Sequence, residues 1–180
     1  MTIAADGHAR LFFALVPPPP LQRLLGKLAE SVAQRARGRA VATDNVHLTI
    51  AFIGAWPVAK LAQWKEAGAR CAERSVDVTL NRLGGFSRAG VAWIGTTTTP
   101  AALQQLVDAL ALELTTAGVA VEARAFAAHV TLARRCHGPF PNEPIGPYEW
   151  RADALSLMRS YTERDGARYV EVERWPLRSG

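Results

Sequence analysis

The 180-residue chain is 49% hydrophobic and 21% charged, with a mean hydropathy of +0.01. That is the composition of a globular domain and excludes both a disordered segment and a bundle of membrane spans. A formal charge of +5 and a pI near 9.8 favour an anionic partner, because summed positive charge steers anions at long range.

From the N-terminus, residues 1–9, His8 included, read as a loose tail. Arg10–Leu15 is an apolar strand. Its apolar run is too short for a signal-peptide core or a membrane span and stops at Pro17–Pro20. Leu21, Leu24, Leu25, Leu28 and Val32 then recur at helical spacing, predicting a helix from Leu21 to Arg37. Val46–Ile53 is strand-like and carries His47 and Thr49. Pro57 opens a helix reaching Glu73, and Val76–Leu80 alternates as a strand. Gly84, Gly85 and Gly90 are expected to bracket a turn around Phe86–Arg88. Gly90–Gly95 is another short strand, and Pro100 opens a helix over Ala101–Thr116. Ala128–Ala133 is a strand with His129 and Thr131. Pro139–Pro147, with four prolines in nine residues, predicts a loop on the surface. Ala154–Met158 and Arg168–Val172 finish the chain as strands, with a turn at Asp165-Gly166.

A strand–helix–strand unit therefore occurs twice, over about 10–54 and 90–134. The strand starts stand 80 positions apart (90 − 10), the prolines opening the helices 80 (100 − 20) and the histidines 82 (129 − 47). This register of both His-Thr pairs points to an internal duplication within one domain, with two lobes about a pseudo-twofold axis. The expected fold is α+β, with antiparallel-rich sheets and outer helices around a central cleft.

Residues two apart on a strand share a face. His47 with Thr49, and His129 with Thr131, thus each set an imidazole beside a hydroxyl. Across one cleft, two imidazoles can serve as base and acid on opposite sides of a phosphorus atom, since histidine titrates near neutrality. Two hydroxyls can bind the non-bridging oxygens. Such a set needs no metal and no cofactor. His129, Cys136 and His137 lack zinc-ligand spacing, and the two cysteines, Cys71 and Cys136, read as reduced thiols of a cytoplasmic protein.

Arg10–Leu15, Asn45–Gly54, Leu83–Phe86, Val91–Gly95, Phe126–Arg134 and Trp175–Leu177 together resemble the two-histidine (2H) phosphoesterases. Within these, the chain is similar to the RNA 2′,3′-cyclic phosphodiesterases once called 2′-5′ RNA ligases. The resemblance spans nearly the whole chain, in order. It implies a 2′-phosphate product, with His47 as proton donor and His129 as base. It further places Thr49 and Thr131 on the phosphate, Arg134 near it and Phe52 as an aromatic beside the base. Relatives usually carry proline where this chain has Ala128. Strict alternation points Phe52 and Arg134 away from their histidines, so both roles require a bulge or a strand end.

The expected partners are RNA 3′ ends or small cyclic nucleotides, met by a monomer without a membrane segment. Alternatives are a 2′-5′ RNA ligase, a phosphodiesterase for another small cyclic nucleotide, or a non-catalytic RNA-binding module.

Overall fold

The computed structural model describes residues 7–121, 125–163 and 166–178. In chain order these form β1 (His8–Leu15), α1 (Pro19–Arg35), β2 (Arg39–Ala40), β3 (Leu48–Pro57), α2 (Leu61–Cys71), β4 (Val76–Phe86), β5 (Val91–Gly95), α3 (Ala101–Thr116), β6 (His129–Arg134), β7 (Glu143–Ala152), β8 (Ala154–Glu163) and β9 (Gly166–Pro176). The fold is α+β, as expected, and the paired strands named here run antiparallel.

The strands lie in the order β7-β4-β5-β6-β3-β1-β8-β9, with β2 attached to β6. This order is palindromic. β1 and β5 flank the central pair β3 and β6, and a further antiparallel pair extends each side, β4 with β7 on one and β8 with β9 on the other. At the centre the two halves meet through one residue pair, Leu48 opposite Val130, which are themselves 82 positions apart. The helices cover the face carrying Leu48, Ile50, Val130 and Leu132, and these pack with Leu25, Val32, Leu103 and Leu110 in one continuous core. The opposite face is left for the site.

Several local expectations differ from the structure. His8 is exposed but belongs to β1, where it pairs with Pro57. Gly84 and Gly85 lie inside β4, and the turn is formed by Ser87–Ala89 and left-handed Gly90. Their reason for being glycine is close packing. A Cβ on Gly84 would come within 2.3 Å of the Trp93 ring, and one on Gly85 within 2.2 Å of Phe140. Part of the proline-rich segment is also a strand, since Pro144 and Pro147 sit in β7 at the edge of the sheet. There a missing N–H breaks no ladder. Of the expected Asp165-Gly166 turn, Asp165 lies outside the described residues.

Candidate active site

The Leu48–Val130 pair positions everything on the site face. Continuing that antiparallel register sets His47 opposite Thr131 and His129 opposite Thr49. All four side chains therefore stand on one face, the histidines diagonally related across the axis.

Each imidazole is oriented in the same way. Nδ1 of His47 lies 2.7 Å from the carbonyl oxygen of Asn45, and Nδ1 of His129 lies 2.7 Å from that of Ala127. A carbonyl only accepts, so Nδ1–H is the donor in both rings and Nε2 of the neutral ring carries the lone pair. Nε2 of His47 is 2.8 Å from Thr49 Oγ1, whose hydroxyl donates to it.

Both rings are walled by aromatic side chains. Phe12 and Tyr169 stand 4.9 and 5.1 Å from the His47 ring, Tyr169 edge-on. Phe86 and Trp93 stand 5.1 and 6.0 Å from His129. Burial pushes His47 down to about 4, against the Asn45 carbonyl, and the positive charges of Arg134 and His129 push in the same direction as burial.

Thr49, Phe52, Phe86, His129, Thr131 and Arg134 line a cavity of about 350 Å³ that continues between α3 and residues 120–121 and 125–127. His47 is not among the lining residues and meets the cavity through Thr49.

The sequence resemblance needed bulges to bring Phe52 and Arg134 to this face, and the register contains them. Phe13 pairs with Ala51 and Ala14 with Thr49, leaving Ile50 as the extra residue. Ala92 pairs with Ala133 and Trp93 with Thr131, leaving Leu132 extra. Each bulge falls three residues after its histidine and inverts the alternation beyond it. Phe52 accordingly lies 6.1 Å from Phe12, on the histidine side, and is 66% exposed at the mouth.

Four site residues went unnoticed in the sequence. Asn45 donates from Nδ2 to the Ala167 carbonyl (2.6 Å) and accepts from the Tyr169 amide (3.1 Å), fixing β9 against the segment that orients His47. Tyr169, Phe12 and Phe86 supply ring walls. Their signal was weak, since nothing in strand periodicity marks the residue two before a histidine or an aromatic on a distant hairpin. Among the described residues no three histidine, cysteine, aspartate or glutamate side chains are grouped to hold a metal ion. Cys71 and Cys136 are free and buried, and burial raises both thiols, Cys71 to about 11.

Comparison with known proteins agrees with this geometry. The model of the LigT-like phosphoesterase family matches residues 15–93. The RNA 2′,3′-cyclic phosphodiesterase of Escherichia coli (strain K12) is 29% identical over 169 residues, covering 93% of this chain and 96% of that protein. A crystal structure of a phosphoesterase superposes with a TM-score of 0.85 at 30% identity, over 94% of this chain and 98% of the other. The crystal structure of E. coli LigT complexed with 3′-AMP gives 0.85 at 28% identity with the same coverage.

Proposed function

The chain belongs to the LigT-like phosphoesterase family, and from its site we propose that it hydrolyses the 2′,3′-cyclic phosphate of an RNA 3′ end to a 2′-phosphate, by acid–base chemistry of His47 and His129 without a metal. The observation that carries this reading is the Leu48–Val130 pairing, which gives one face two imidazoles and two hydroxyls in diagonal array. The activity named for the E. coli relative and the 3′-AMP complex of LigT support it.

The chemistry follows from the arrangement. An anionic phosphodiester settles between the imidazoles, with Thr49 and Thr131 donating hydrogen bonds to its non-bridging oxygens and Arg134 balancing its charge. That negative charge opposes the field of Arg134, which adds to the burial that holds His47 low, so the bound substrate raises the affinity of His47 for a proton. His129 takes a proton from water as the new O–P bond forms. The P–O3′ bond breaks, His47 protonates O3′, and the product carries a 2′-phosphate and a 3′-hydroxyl. The acid and base roles follow the family pattern. The same reading treats units 10–54 and 90–134 as repeats within one domain, which the palindromic strand order supports.

Product analysis on an oligonucleotide ending in a 2′,3′-cyclic phosphate tests the proposal. A 2′-phosphate is expected, formed equally with and without EDTA. His47→Ala and His129→Ala should each lower kcat by about 10²–10⁴-fold, and the double variant should lose little more, because the pair acts as a unit. A 3′-phosphate product, inhibition by EDTA, or full turnover in either variant refutes it.

A further inference from the structure

Beside the site, two arginines are paired with each other. β2 is a two-residue strand laid along β6 beyond the point where β3 departs, with Arg39 opposite Arg134 and Ala40 opposite Ala133. The Val41 amide donates to the carbonyl of the bulged Leu132 at 2.8 Å, which holds the strand in place. Direct cross-strand partners project from the same face, so Arg39 stands beside Arg134 on the side of the sheet that holds the cavity. Both are exposed. Among the described residues neither forms an ion pair, although Arg35 close by is matched with Glu143.

Like charges directly opposite one another destabilise a sheet, and nothing in the repeat requires them. The equivalent positions of the other half, 82 residues away, are Val121 and Phe52, exposed and uncharged. The cation pair is thus confined to one end of the cleft. Arg134 is committed to the cavity that takes the terminal phosphate, which leaves Arg39 one side chain further out.

We propose that Arg39 binds the phosphodiester immediately upstream of the reacting end, so that the site prefers an oligonucleotide terminus to a mononucleotide. This rests on the phosphoesterase reading above and adds a polynucleotide subsite to it. A planar guanidinium suits a phosphodiester, because its fork of donors matches two phosphate oxygens.

The test compares a nucleoside 2′,3′-cyclic phosphate with a tri- or tetranucleotide ending in the same group. Arg39→Gln should lower kcat/KM for the oligonucleotide on the order of 10-fold and leave the mononucleotide within about twofold. The log–log salt dependence for the oligonucleotide should flatten by about 0.7, the contribution of one single-strand phosphate contact. Arg39→Lys should keep most of that salt dependence while losing part of the affinity. The thermal midpoint should hold or rise, whereas a structural role for Arg39 would lower it. Equal losses on both substrates, or none on either, overturn the proposal. Dissociation constants for an oligonucleotide ending in a 3′-phosphate and for a nucleoside 3′-monophosphate separate the two readings. Absent turnover in the wild type refutes the proposed reaction, while the effect of Arg39→Gln on those two constants still decides the subsite.

Discussion

At the scale of single residues, His47 couples the site to stability. Its ring is enclosed by Phe12 and Tyr169, and burial holds it down at about 4, against about 6.5 in an unfolded chain. The sign follows from proton counting. Between those values the unfolded state binds a proton that the folded state refuses, so stability is complete above about 6.5 and declines as pH falls toward 4. A shift of this size corresponds to about 3 kcal/mol. Urea midpoints at pH 7.5 and pH 4 measure it, with His47→Gln as the reference because carboxylates titrate in the same range. The wild type should lose about 3 kcal/mol more than the variant on acidification, and parallel losses would show that the ring is hydrated. Activity should echo this, with the acid limb of kcat/KM near pH 4 rather than near 6.5, as a macroscopic property of the coupled pair.

At the scale of elements, the ends of α1 and α3 show how the surroundings of the site are set. α3 ends with left-handed Gly118 (φ 79°), whose amide and that of Val119 bond back to the carbonyls of Thr115 and Leu114. α1 closes in the same way, with Arg37 and Gly38 bonding back to Gln34 and Ala33. Here, however, the left-handed position holds Arg37 (φ 48°) and the glycine follows it. The displacement has a packing cause, since a Cβ on Gly38 would lie 2.6 Å from Cys136 Sγ and 2.9 Å from the Arg134 carbonyl oxygen. Arg37→Gly should therefore be tolerated or stabilise by up to about 1 kcal/mol. Gly38→Ala should cost about 1–3 kcal/mol by forcing the chain off β6, with activity lost in step as Arg134 moves. Equal effects in thermal melts would refute the assignment.

Elements of this kind also mark the limit of what the sequence discloses. Helical spacing located α1 and α3 almost to their ends, and the duplicated His-x-Thr pattern placed His47, Thr49, His129 and Thr131 on one face. The bulges at Ile50 and Leu132 leave no trace in an unbroken apolar run, because they are properties of register with β1 and β5. Gly84 and Gly85 read as a turn because their function, making room for Trp93 and Phe140, belongs to tertiary packing. Asn45 and Tyr169 meet through a contact 124 residues long in sequence, and no local pattern encodes it.

At the scale of the whole molecule, the sheet joins its halves only by the pair Leu48–Val130 and the two-residue β2–β6 ladder among the described strands, yet the core beneath is continuous. Leu48 and Val130 are fully buried and share one cluster with side chains of α1 and α3. Backbone pairing at the seam is therefore minor, and the halves are held together by apolar packing, where removing a buried leucine side chain costs about 2–5 kcal/mol. Because that packing is shared, neither half keeps its core if the other opens, and unfolding should be one cooperative transition. Tryptophans stand in both halves, Trp56, Trp64 and Trp175 in one and Trp93 and Trp150 in the other, so fluorescence and far-UV circular dichroism should trace coincident urea curves. Leu48→Ala should shift both curves together, and Leu48→Ala with Val130→Ala should be non-additive by about 0.5–3 kcal/mol, as contacting residues are. It should also lower kcat more than its stability loss explains at temperatures where the fold is intact, because the seam fixes the distance between the histidines. Two separate transitions, or strict additivity at the seam, would mean that the cleft is assembled from independent lobes and that something other than this joint sets its width.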